Sequence, residues 1–302
     1  MKINKDWLVS ENTSEKINIK KSPNARYNII AKYLVIHYTA GDTADSAINW
    51  FMTNQNKGNP DRIAAHIVVD IDGSITQLVP FNRRANHAGY SVWDRVTGFN
   101  DHSIGIEIVN PGFLEKLTDG SYRRKIGQDK NKKPIYKTYP ASIAQNLFIG
   151  NHKHKFWTGS DNHLWFQFPK AQLDAVYKLS ALLVSSYQLI TAVGHDDISP
   201  ARKPDPGPAF PWDEFKMSVF GKTDNVGKIY KVTENGTKFR IAPSRENTPI
   251  KSLQKDYEVG LIETNGSWFK VYLVNDLKDI VNKDGSSKKE IGWIHNSLLM
   301  LK

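Results

Sequence analysis

Hydrophobic and polar positions along the first two-thirds of the chain follow two alternating periods. Tyr33-Leu34-Val35-Ile36 is a short apolar run that leads into His37, and it predicts a buried strand over Lys32–Tyr38. Thr43 is placed to cap a helix through Ala47, Ile48, Trp50, Phe51 and Met52, which recur at roughly helical spacing. Ile63–Asp70 reads as a strand, Asp72-Gly73 as a tight turn, and Ile75–Val79 as the partner strand. Ser103–Asn110 alternates strictly, with Ile104, Ile106 and Ile108 on one face and Gly105, Glu107 and Val109 on the other. Pro169 opens an amphipathic helix whose stripe is Leu173, Val176, Tyr177, Leu179, Ala181, Leu182 and Val184. That helix feeds a last apolar run, Leu189–His195. Strands alternating with helices predict an α/β layer around a central mixed sheet.

Other stretches break this rhythm. Residues 1–30 are polar and are expected to wrap the domain edge. From Gly112 to about His163 there is no core period, so the segment reads as an insertion, with a short helix possible over Ala141–Ile149. After Phe220-Gly221 the composition changes to short alternating runs: Phe239–Ile241, Tyr257–Ile262, Trp268–Leu273 and Ile291–Ile294. These predict a small all-β barrel. The expected division is a first domain over 1–221, a linker over 222–227 and a second domain over 228–302.

Composition narrows the chemistry. The 302 residues are 39% hydrophobic and 24% charged, ordinary for a globular protein. No run reaches the roughly 18 apolar residues of a membrane span, so none is expected. With no cysteine, the chain has no disulfide, iron–sulfur cluster, thiolate zinc site or cysteine nucleophile. A net charge of +10 favours polyanions. Much of it lies between Gly112 and Lys170, where eleven basic residues face four acidic ones. No basic-aromatic recognition motif accompanies the charge, so no specific nucleic-acid partner is expected.

The candidate chemistry sits at strand ends. His37 closes the first apolar run and His195 the last, and Asp205 follows in the loop Pro200-Ala201-Arg202-Lys203-Pro204-Asp205-Pro206-Gly207-Pro208. Two imidazoles and a carboxylate match the three protein ligands of a catalytic zinc site. A histidine at a strand end is also commonly just a hydrogen-bonded residue, and there is no close pair such as H-E-x-x-H to decide between the readings.

Five motifs in order add to this: Val35-Ile36-His37-Tyr38-Thr39-Ala40; Ala65-His66-Ile67-Val68-Val69-Asp70-Ile71-Asp72-Gly73; Asn86-His87-Ala88-Gly89 with Ser91 and Trp93; Ser103–Asn110; and Gly194–Pro208. Together they resemble the zinc-dependent N-acetylmuramoyl-L-alanine amidases of type 2, the bacterial cell-wall and phage-lysin enzymes whose fold is shared by animal peptidoglycan recognition proteins. The basic insertion departs from compact members of that family. The resemblance implies His37, His195 and Asp205 as ligands of Zn2+, Glu107 as general base and Lys203 as an electrostatic helper. His66 reads either as a substrate or ligand-supporting contact or as a core residue, His87 as a substrate-binding residue lining the groove, and Trp93 either as a sugar-stacking contact or as a packed residue. Lys238–Ser244, Gly266–Val271 and Gly292–His295 resemble a bacterial SH3-type domain, which implies binding of cell-wall peptide or holding of the catalytic domain.

The function these resemblances imply is hydrolysis of the amide between N-acetylmuramic acid and L-alanine, in peptidoglycan or in muropeptides. The rival reading is a non-catalytic wall-binding receptor of the same fold, but such proteins lose a zinc ligand and this chain has all three. Met1–Trp7 lacks the apolar core of a signal peptide, so synthesis in a bacterial cytoplasm is expected, with action on the wall after release or injection. That suits a lysin or a delivered toxin, the latter with an immunity protein as partner. A cytosolic muropeptide-recycling enzyme is the alternative.

Overall fold

The computed structural model describes residues 1–154, 163–220, 229–274 and 290–302. The chain forms two compact units, Met1–Gly89 with Gly98–Phe210, and Tyr90–Thr97 with Pro211–Lys302. The first unit is built on a six-stranded mixed sheet in the order Thr191–Gly194, Tyr33–Tyr38, Ser103–Ile108, Ile67–Val69, Ile75–Gln77, Ile17–Ile19. The first four strands are mutually parallel, and the turn at Asp72-Gly73 returns Ile75–Gln77 antiparallel to Ile67–Val69. Leu34, Val35 and Ile36 are all 0% exposed, so this strand is covered on both faces, as parallel strands are. Polar residues 1–30 contribute more than a wrap: Ile17–Ile19 adds an edge strand parallel to Ile75–Gln77.

Register places the functional side chains. His37 pairs with Glu107, and Val35 with Gly105. In-register neighbours on adjacent strands point to the same face, so His37 and Glu107 stand side by side. The helix Ala44–Met52 is capped by Thr43, whose side chain accepts from the Ser46 N–H, and it buries Ile48 and Phe51. Those two join Val68, Leu78, Val79 and Val109 in one apolar cluster.

The helix Lys170–Tyr187 buries Gln172, Val176, Leu179, Ser180 and Leu183. Its buried stripe is therefore rotated from the expected one and includes two polar residues. Gln172 explains the first: its amide donates to the carbonyls of Val69 (3.2 Å) and Val109 (2.9 Å), where two parallel strands end. The strand expected over Ile63–Asp70 is confined to Ile67–Val69, because Ala64 N–H bonds to the carbonyl of Asn86, in a loop, instead of entering a ladder.

The insertion is an ordered five-stranded antiparallel sheet, in the order Pro134–Tyr139, Tyr122–Gln128, Phe113–Lys116, Leu164–Phe166, Leu147–Ile149. Its small core is Leu114, Tyr122, Tyr139 and Leu147. The helix expected over Ala141–Ile149 is a 3-10 segment, Ala141–Asn146, because Leu147 enters a strand against Phe166. Residues 155–162 of the insertion lie outside the described residues.

The second unit holds a seven-stranded antiparallel sheet, in the order Pro249–Leu253, Thr237–Arg240, Ile291–His295, Trp268–Leu273, Glu258–Asn265, Ile229–Val232, Leu299–Leu301. Phe239, Val259, Leu261, Val271, Leu273 and Ile294 are among its core residues. This unit also takes in the helix Trp212–Phe220 and the hairpin Val92–Thr97. One tie is explicit: Asp94 of the hairpin pairs with Lys270 of the sheet. The expected linker, 222–227, lies outside the described residues. Among the described residues, no helix is long and apolar enough to cross a membrane.

Replacing Gln172 with Leu strands the buried Val109 carbonyl. We expect it to lower stability by about 1–3 kcal/mol, the cost of one unsatisfied buried acceptor. Denaturant unfolding of the two proteins checks this; an unchanged midpoint would show that the amide is dispensable.

Candidate metal centre

Two adjacent parallel strands deliver the two histidines. Gly194 pairs with Ile36, so His195, the next residue, comes level with His37. His195 begins a one-turn helix, His195–Ile198, and the Asp196 N–H donates to the carbonyl of Asp205 at 2.7 Å. That bond draws the proline-rich loop back over the strand ends. His37 Nδ1 lies 2.8 Å from His195 Nδ1 and 3.1 Å from Asp205 Oδ2, and His195 Nδ1 lies 2.9 Å from the same oxygen. All three residues are buried.

Hydrogen bonds behind the site decide where the ring protons go. Ser103 Oγ donates to the Phe99 carbonyl, so it accepts from His87 Nε2 at 3.3 Å. His87 Nδ1 is then an acceptor, and His37 Nε2–H donates to it across 3.0 Å. The lone pair of His37 therefore sits on Nδ1. His195 reaches the same state, because its Nε2–H donates to the Ala88 carbonyl at 3.1 Å. Burial pushes both imidazoles below the usual histidine range, which favours the neutral rings. Two Nδ1 lone pairs and one carboxylate oxygen thus converge. Such a group repels itself and can hold a metal ion.

Glu107 is half-buried beside His37, at the carboxyl end of the neighbouring strand. Burial pushes its carboxyl up to about 7, with a smaller downward pull from His37. Lys203 is also half-buried, and its charge acts on both Glu107 and His195. Glu107, Lys203, His195 and Asp205 line a cleft of about 760 Å³. Trp50 of the capped helix and Arg123, Arg124, Lys125 and Tyr136 of the insertion line it as well. The Arg124 guanidinium donates to Ala40 O (2.7 Å), Asp42 (3.0 Å) and Tyr139 OH (2.8 Å), tying the insertion to the loop that follows His37.

The three expected substrate contacts are placed differently from one another. His66 is 0% exposed; its Nε2–H donates to the Arg83 carbonyl, and its Nδ1 accepts from the Gly105 N–H. Burial pushes it down to about 4. With both nitrogens bonded to backbone, His66 offers a substrate nothing and serves the core. His87 reaches the cleft lining, but its two nitrogens are taken up by His37 and Ser103. It orients a candidate ligand, and Gly105 makes room for it: a Cβ there would stand 2.5 Å from the His87 ring. Trp93 belongs to the second unit, where it is 7% exposed. Sequence reasoning missed Arg202, which donates to the Ala88 carbonyl (2.8 Å) and Ser199 Oγ (2.9 Å). Its place beside Lys203 in the proline-rich loop was the available signal.

Residues 26–208, which contain every candidate ligand, match the family model Amidase_2, described as N-acetylmuramoyl-L-alanine amidase. The chain is 27% identical over 252 residues to N-acetylmuramoyl-L-alanine amidase AmiD of Escherichia coli, covering 80% of this chain and 69% of that one. It is 30% identical over 162 residues to 1,6-anhydro-N-acetylmuramyl-L-alanine amidase AmpD of Escherichia coli, covering 54% of this chain and 61% of that one. A solved complex of AmiD from E. coli with the substrate anhydro-N-acetylmuramic acid-L-Ala-D-gamma-Glu-L-Lys superposes with a TM-score of 0.43 at 28% identity, over 64% of this chain and 58% of that one. With the family model covering more than half of its length, this chain belongs to the N-acetylmuramoyl-L-alanine amidases and is an enzyme of that family.

Proposed function

We propose that this enzyme hydrolyses the amide between the lactyl group of N-acetylmuramic acid and L-alanine, using zinc held by His37, His195 and Asp205. The observation that carries the reading is the convergence of two Nδ1 lone pairs and one carboxylate oxygen within about 3 Å of one another, beside a half-buried glutamate. Two neutral imidazoles and one carboxylate suit zinc and leave room for reacting groups. Zinc held there supplies Lewis acidity, which makes water an effective nucleophile near neutral pH.

The chain's own residues supply the rest. Glu107, pushed up to about 7, accepts a proton from the attacking water on a carboxylate oxygen. It then passes that proton to the departing L-alanine nitrogen. The Lys203 ammonium faces the oxygen of the scissile carbonyl as its negative charge develops. One such donor is typically worth about 3 kcal/mol of barrier. His87 and the Ala88 carbonyl keep both imidazoles in the tautomer that the site requires.

We read the seven-stranded unit as an SH3-like wall-binding module, supported by its Gly266–Val271 and Gly292–His295 motifs and its antiparallel order. That favours intact wall as substrate, in the setting of a lysin or a delivered toxin. Similarity to the 1,6-anhydro-N-acetylmuramyl-L-alanine amidase AmpD supports a second reading, cleavage of released 1,6-anhydro muropeptides.

Mass spectrometry of digested peptidoglycan is the direct test. Free stem peptides beginning with L-alanine should form, vanish with a chelator and return with added zinc. Intact wall with the protein still bound to it would favour a receptor instead. Running an anhydro-muropeptide in parallel separates the two substrate readings by relative rate.

Zinc content tests the ligand assignment. His37→Ala and Asp205→Ala should lose the metal, whereas Glu107→Gln should keep it and lose turnover by about 10²–10⁴-fold. Equal zinc in all three variants would sink the assignment.

A further inference from the structure

The loop that carries Asp205 is poor in its own anchors. Pro204, Pro206 and Pro208 have no N–H to donate. A ligand carried on such a loop needs support from outside, and the insertion supplies it from the buried side.

The His152 side chain is 0% exposed, and its Nε2 lies 3.0 Å from the Pro204 carbonyl and 3.1 Å from Asp196 Oδ2. Its Nδ1 accepts from the His154 backbone N–H at 3.0 Å, so the ring proton is on Nε2 and is shared by those two oxygens. Lys153 pairs with Asp196 (3.0 Å) and Asp197 (2.8 Å). Each of these aspartates is joined to a ligand segment in turn. The Asp196 N–H donates to the Asp205 carbonyl, and Asp197 Oδ2 accepts from the Gly194 N–H at 2.9 Å.

Trp165 supports the other flank. It is 1% exposed, its indole N–H donates to the Gly150 carbonyl at 2.9 Å, and its ring lies 5.8 Å from that of His152. Gly207, with φ +74°, packs so tightly against it that a Cβ would stand 2.7 Å from the indole. Asp205 is thus bracketed by the insertion, at Pro204 on one side and at Gly207 on the other.

We infer that His152, backed by Trp165, is a positioning residue for Asp205, and that the insertion is a strut setting this chain's metal affinity. The inference rests on the reading of His37, His195 and Asp205 as zinc ligands. The strut acts through the His152 Nε2–H, shared by the carbonyl of the residue before the ligand and by Asp196, and through Trp165 packed on Gly207. It touches neither substrate nor metal.

The test uses the full chain, stripped of metal and titrated with zinc alone against a chromophoric chelator. His152→Ala should bind zinc about 10–100-fold more weakly, the usual effect of removing a group that orients a ligand. His152→Gln should recover most of that loss, because its amide nitrogen restores the donor. His152→Phe keeps a ring against Trp165 but has no N–H, and it should fall with His152→Ala. The Gln and Phe variants decide the matter alone if His152→Ala does not fold. Thermal unfolding of the metal-free proteins separates affinity from stability.

Wild-type zinc affinity in the Ala or Phe variants, with zinc lost in His37→Ala, would overturn the strut while leaving the ligand assignment standing. No zinc binding by the wild-type chain, or undiminished binding by His37→Ala, would sink both.

Discussion

Everything at this site depends on where two protons sit. An imidazole nitrogen can face a cation only if its hydrogen is held on the other nitrogen. For His37 the holding group is His87, which is itself fixed by Ser103. For His195 it is the carbonyl of Ala88. His87 and Ala88 are neighbours in one loop, and both of their backbone N–H groups donate to the side chain of Asn100. One short segment thus sets the tautomer of both histidines. The Asn86-His87-Ala88-Gly89 string makes physical sense as a proton-placing element.

The α/β core was largely readable, because its signals are local. A four-residue apolar run ending in histidine needs no tertiary information to be read as a strand end, and strict alternation separated Glu107 from Ile104, Ile106 and Ile108. The insertion was not readable. Its strands are mostly exposed, as at Lys125, Ile126, Ile135 and Tyr136, so no burial period marks them. What holds them is pairing and a small core whose members are far apart in sequence, such as Leu114 and Tyr139. The roles of His66 and His87 were hidden for a different reason: a histidine's work depends on what meets each nitrogen, and those partners are a backbone carbonyl and amide for His66 and the side chains of His37 and Ser103 for His87. The position of Trp93 was also beyond a linear reading, since its hairpin joins a unit whose other residues begin at Pro211.

The positive charge of the insertion also changes meaning once it is placed. Counted along the sequence, it suggests a surface for polyanions. In the fold, Arg123 is bound to both carboxylate oxygens of Glu115, Arg124 and Lys137 to Asp42, and Lys153 to Asp196 and Asp197. These cations meet carboxylates within the same unit, and several of the bonds connect the insertion to loops beside the candidate ligands. The outermost of them, Arg123 with Glu115, contributes little stability. Their value here is geometric, because they fix where loops run.

The separation of the three donor residues along the chain has a consequence in time. His37 and His195 are 158 positions apart, and Asp205 lies ten residues further on. Translation must therefore run past Asp205 before the centre can close. Any product interrupted earlier carries His37 and Glu107 without their partners. An interrupted copy of this amidase therefore never assembles its candidate metal centre.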